Sequence, residues 1–156
     1  MGDSMTRANA RELAVHLIYG REFTNEEPDQ VVATRLDKDY YGKLAAENPI
    51  YNERPSRVQK AYIDTVVAGV ASRSEELNAQ IQKYSVKWDV SRISKLARTA
   101  MQLAIFEIQF IDDVPTGVAI SEAVRIVKMY DGEETASFVN GILGSYAREL
   151  ESEVDA

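Results

Sequence analysis

Cysteine is missing altogether from this chain of 156 residues, which excludes disulfides and thiolate-bound metals and fits a reducing, cytoplasmic setting. Histidine occurs once, at His16, so a single chain cannot build a multi-histidine metal centre. No apolar run approaches the ~18 residues that a bilayer span requires. Met1 to Asn9 is polar, without the apolar stretch of a secretory signal. The P-loop phosphate cradle, the GxSxG elbow and HExxH are absent. The carboxylate pairs Glu75-Glu76, Asp112-Asp113 and Glu133-Glu134 are adjacent in sequence, so on a helix their side chains diverge. Acid–base work needs groups held together in a dry cleft, and the sequence offers no candidate. The expectation is a protein with no catalytic residues, no metal and no cofactor. Period-two strands, fixed-period repeats and low-complexity tracts are missing as well.

What the chain does have is apolar residues, at 45%, enough for a sizeable interior in one domain or in two small helical halves. The formal charge is −7, which taken whole argues against nucleic acid, yet the charge is uneven. Between Lys83 and Arg98 stand Lys83, Lys87, Arg92, Lys95 and Arg98, against Asp89 alone. The first helix offers Arg7, Arg11 and Arg21 against Glu12 and Glu22. The acidic excess lies at Glu26-Glu27, at Asp131 to Glu134 and in the tail. Two readings fit: solvated helix faces, or a basic surface on an otherwise acidic body.

Thr6 is a plausible N-cap, and Ala10, Leu13, Ala14, Leu17 and Ile18 then recur at helical spacing, with Arg7 and Arg11 sharing another face. Pro28 fits the first turn of a second helix. The stretch 37–57 reads as partly loop, because Pro49 and Pro55 break regular structure. Ser56 can cap a third helical segment through Val58, Tyr62, Val66 and Val70, and the pattern resumes to Tyr84 as either one long helix or two. After Trp88 comes a segment from Ile93 to Ile111 that is apolar nearly all the way round and therefore central. Pro115 or Thr116 opens the next helix, Gly132 closes it, and a last helix carries Val139, Ile142, Leu143, Tyr146 and Leu150. The fold expected is all-α, with six to seven helices. The N-terminal helical half covers about 6–85 and the C-terminal half about 86–152.

Four stretches, in order, carry a resemblance. They are Arg7-Ala8-Asn9-Ala10-Arg11-Glu12-Leu13-Ala14-Val15 with Leu17-Ile18-Tyr19; Trp88 with Arg92-Ile93 and Leu103 to Ile108; Val114-Pro115 with Val118 to Val124 and Lys128; and Phe138-Val139-Asn140-Gly141-Ile142-Leu143. Together they resemble the NusB family of bacterial transcription antitermination factors over nearly the whole length. The resemblance implies one domain of two packed three-helix groups, the NusB-like RNA-binding fold. It implies binding of a short single-stranded boxA leader RNA together with the ribosomal protein NusE. It also implies entry into an RNA polymerase antitermination complex in the cytoplasm, with no membrane association and no catalysis.

The same resemblance places RNA contacts at Arg7, Arg11, Tyr84 and Phe138, with plain packing as the alternative for the two aromatics. Ala8 and Asn9 stand where family members often carry further arginines. With about three phosphates engaged, RNA binding is expected to be modest and salt-sensitive. Partner contacts are implied at Arg92, Lys95, Arg98, Gln102 and Phe106, with Ala97 at a position often acidic in the family. Asn140-Gly141 reads as structural, the glycine permitting close helix packing, and Glu122 reads as a structural polar link. The segment from Asp37 to Arg57 is longer than the family usually has. Two rivals stand beside this reading: a protein-binding helical scaffold or homodimer without direct RNA binding, which would bury Phe106 and Phe110, and the helical appendage of certain RNA methyltransferases, which would need a fused catalytic domain.

Overall fold

Local chemistry fixes the start of the first helix. The Thr6 hydroxyl accepts a hydrogen bond from the Asn9 backbone N–H at 3.0 Å, capping α1 (Arg7–Arg21). The structure, a computed structural model, describes residues 5–24, 26–36, 54–85 and 93–155. Residues 37–53 of the expected loop, with Trp88 and Arg92, lie outside the described residues. Among the described residues there are seven helices and no strand, as the sequence pattern predicts. They divide into two compact units, Met1–Ser72 and Arg73–Ala156.

In the first unit α1 and α2 (Pro28–Arg35) both pack on α3 (Arg57–Ser72). Pro28 opens α2, and the Glu27 backbone N–H donates to the Gln30 side chain at 3.3 Å, half of a reciprocal cap that the sequence pattern did not single out. The predicted stripe of α1 is buried in full: Ala10, Leu13, Ala14, Leu17 and Ile18. Facing it lie Tyr62, Ile63, Val66, Val67 and Val70 of α3. Each such aliphatic side chain, fully buried, contributes about 1.5–3 kcal/mol.

The helical pattern from Ser56 to Tyr84 proves to be two helices. Arg73, with φ −117° and ψ 17°, ends the run and serves as N-cap of α4 (Ser74–Tyr84). Helix α4 packs on α5 (Lys95–Phe110) and on α7 (Glu133–Asp155), so the second unit holds four helices, α6 (Thr116–Asp131) being the other. The strongly apolar α5 is central, in contact with α4, α6 and α7. Its start is held twice by Ser94, whose hydroxyl oxygen accepts from the Ala97 N–H at 3.0 Å and whose O–H donates to the Asp131 carboxylate at the end of α6. Between α6 and α7 stands a single residue, Gly132, at φ +92°, a left-handed value that a side chain resists.

Candidate nucleic-acid interface

Arg7 and Arg11 are four residues apart on α1 and converge on one aromatic ring. The Arg7 guanidinium lies 4.2 Å from the centroid of Tyr62, and the Arg11 guanidinium 5.9 Å from the same centroid. Arg7 Nε also donates to Gln59 Oε1 at 2.8 Å. Helix α3 thus supplies a platform that holds two cations at the amino end of α1. That end carries no acidic residue in its first turn, and its dipole adds positive potential. Arg7 stays half-exposed, whereas Arg11 keeps only 5% of its surface. Of the pair, Arg7 has the more accessible guanidinium, and Arg11 stands behind it. Tyr62 and Gln59 were not foreseen as part of this site, since Tyr62 reads in sequence as one more core position.

His16 lies two turns further along α1, partly buried. Burial pushes its imidazole below the usual histidine value, and the nearby Glu12 offsets part of that effect. Tyr19 packs edge-on against Phe23, their centroids 5.2 Å apart, with Phe23 itself 61% exposed.

Tyr84 closes α4 in the second unit. Its hydroxyl donates to Glu149 Oε2 at 2.6 Å, and Lys83 Nζ meets Glu149 Oε1 at 2.6 Å. The ring stands edge-on to Tyr146 with centroids 6.0 Å apart, and Lys83 Nζ lies 5.4 Å from the Tyr84 centroid. Tyr146 in turn accepts a hydrogen bond from Gln109 Nε2 at 2.9 Å. Shared hydrogen bonding holds the Glu149 carboxyl below its ordinary range and the Lys83 ammonium above its own. Burial, then the bond to Glu149, pushes the Tyr84 phenol up, and burial does the same to Tyr146. Phe138 is half-buried on the second turn of α7.

The residues expected to meet a partner fall into two kinds. Lys95 is exposed in the first turn of α5 and Arg98 is half-exposed one turn later. Gln102 is 3% exposed, and its amide donates to Asn78 Oδ1 of α4 at 2.8 Å. Phe106 is 5% exposed and stacks on Phe110 at 5.0 Å, over which the Arg73 guanidinium sits at 4.2 Å. Glu122 fits its structural reading, with its carboxylate taking Arg125 Nε at 2.8 Å.

One expectation is overturned. Gly141 does not permit close helix packing: it is exposed, and a Cβ placed there would meet nothing within 4 Å. The exposed Asn140 beside it lines an open groove of about 500 Å³ between α6 and α7, together with Ser121, Val124, Lys128 and Ser137. Among the described residues, no three His, Cys, Asp or Glu side chains cluster as a metal site would require, and no helix is long and apolar enough to cross a membrane.

Comparison with known proteins agrees with this architecture. A profile of the NusB family matches residues 8–148. The transcription antitermination protein NusB of Acetivibrio thermocellus is 38% identical over 144 residues, covering 92% of this chain and 90% of that protein. That of Natranaerobius thermophilus is 34% identical over 146 residues, 94% of this chain and 97% of its own. Among solved structures, T. maritima NusB superposes with a TM-score of 0.76 at 27% identity, covering 94% of each chain. The crystal structure of antitermination factors NusB and NusE in complex with double-stranded RNA gives 0.68 at 22% identity, covering 89% of this chain and 93% of that one, a likeness of fold.

Proposed function

The chain belongs to the NusB family, and on that premise we propose that it is an RNA-binding transcription antitermination factor. In this reading it binds boxA-like leader RNA together with the ribosomal protein NusE and joins the RNA polymerase antitermination complex in the cytoplasm, without catalysis. The observation that carries the proposal is the family match across residues 8–148, which spans both compact units.

The geometry supports particular roles. Arg7, held on the Tyr62 ring and by Gln59, is a pre-positioned phosphate ligand, with Arg11 reinforcing the local potential. Tyr84 and Phe138 supply ring faces on which unpaired bases stack, each worth about 1–3 kcal/mol. Lys95 and Arg98 offer the reachable charge for the ribosomal partner, while Gln102 and Phe106 hold α5 in place beneath them. The rival reading, a scaffold or homodimer that buries Phe106 and Phe110, loses support from the burial of Phe106 within its own unit.

Fluorescence anisotropy with a labelled boxA-like single-stranded RNA, with and without NusE, tests the proposal. The wild type binds, more tightly with the partner. Arg7→Ala with Arg11→Ala weakens binding and flattens its salt dependence by about 0.7 to 1.4 in log–log slope, the loss of one or two phosphate contacts. Wild-type protein that ignores this RNA even beside NusE refutes the function; unaltered binding by the double variant refutes the surface.

A further inference from the structure

The two oxygens of Glu149 are both engaged, and both on residues from the last turn of α4. One takes the Lys83 ammonium at 2.6 Å and the other the Tyr84 hydroxyl, also at 2.6 Å. Lys83 Nζ meanwhile lies 5.4 Å from the Tyr84 centroid, within reach of a cation–π contact. Tyr84 is therefore restrained at its hydroxyl by the carboxylate, approached over its ring by the ammonium, and met at an edge by Tyr146. An otherwise useful nucleic-acid-binding pair, a cation beside an aromatic ring, is occupied from within the chain.

We propose that Glu149 is a built-in competitor for RNA, an acid on α7 that neutralises Lys83 and ties down Tyr84, so that a nucleic-acid strand must displace its carboxylate to engage either. The inference rests on the reading of Tyr84 as an RNA contact. The chemistry of exchange is simple. A backbone phosphate replaces the carboxylate on Lys83, and the lysine, drawn to the strand, leaves the ring open for a base to stack. The lock is reversible because it lies at the surface, with the Lys83 and Glu149 side chains 54% and 40% exposed. Such pairs are weak in water, so a phosphate competes on nearly even terms. Both partners are charged at neutral pH, so the cancellation is in force when RNA arrives, and their shared hydrogen bonding only widens the pH range over which that holds. The device suits a chain whose charge is already −7, because it sets affinity low until the partner adds its own surface.

The test compares Glu149→Gln and Glu149→Ala with Glu151→Gln, which removes an exposed carboxylate nearby on α7. Anisotropy titrations use the same labelled boxA-like RNA, with NusE, across a salt series. Removing the Glu149 charge lowers Kd about three- to fivefold beyond the Glu151 control, the scale of one exposed ion pair. It also steepens the salt dependence, by less than the ~0.7 of a phosphate contact, because the wild type frees a carboxylate that draws a counterion back as Lys83 turns to the strand. In a Lys83→Met background the effect of Glu149→Gln disappears. Wild-type binding that Glu149→Gln leaves unchanged, or weakens, overturns the inference while the RNA-binding function stands. Wild-type protein that does not bind removes the function itself, and this inference with it.

Discussion

Gly141 offers a stability test whose sign separates two readings of the same residue. A glycine needed for close packing resists any side chain, and replacing it costs stability. The structure places Gly141 within α7, exposed, with helical backbone and, beyond the helix's own backbone, no heavy atom within 4 Å of the point where an alanine methyl would stand. Alanine there loses no contact and restricts the unfolded chain, so Gly141→Ala stabilises by about 0.5–1 kcal/mol. For a chain of this size that raises Tm by roughly 1–4 °C. Two neighbours calibrate the result. A Cβ at Gly144 lies 3.3 Å from Arg148 Nη1, the far end of a flexible side chain, so Gly144→Ala also stabilises, by less. Gly132 sits at φ +92° and ψ 176°, a region open essentially to glycine alone, and Gly132→Ala destabilises by about 1–3 kcal/mol. Thermal and urea melts followed by circular dichroism read all three. A Gly141→Ala variant that melts below wild type refutes the reasoning, for it requires a surface pressed against a position that the structure leaves open.

Two further predictions concern the first unit. Tyr62→Leu keeps an apolar side chain in the core but removes the ring beneath Arg7 and Arg11; about 1 kcal/mol of stability is lost, and RNA affinity falls with Arg7 intact. Anisotropy equal to wild type would show that Arg7 needs no platform. His16 is held neutral by burial, with Glu12 partly opposing, so its folded pKa is the lower one. The unfolded chain takes up a proton from about pH 6.5 downward, and stability is lost between there and the depressed folded value. His16→Asn flattens urea midpoints across that window; an unchanged profile would exclude His16 as the source.

Much of the fold was legible because its signals are local. The α1 stripe, the Thr6 cap, Pro28, the apolar α5 and the glycine after α6 each act within a few residues of themselves. The division of the Ser56–Tyr84 pattern was not legible. Arg73 is an ordinary helix former, and only its backbone angles end the run. The site was legible where a helix face repeats and obscure where it is built across the sequence. Arg7 and Arg11 share a helix face by spacing and take their role from the family resemblance, but Gln59 lies 52 residues from its partner. Glu149 lies 65 residues from Tyr84, and in sequence it is one more acid in an acidic tail. Gly141 was misjudged for the same reason. A glycine reports that a side chain is dispensable, and only the surrounding surfaces tell whether the room left is filled.

The one-residue join at Gly132 has a consequence for how this molecule can change over time. With no slack in that join, an amino acid added or deleted in the first turn of α7 would turn the rest of that helix by roughly 100° about its axis relative to its start. Phe138, Tyr146 and Glu149 would swing together to new headings, and the oxygen grip on Lys83 and Tyr84 would be lost in one step. The count of letters separating the Val118 stretch from Phe138 is therefore a mechanical setting, more costly to alter by one position than most of the letters are to replace.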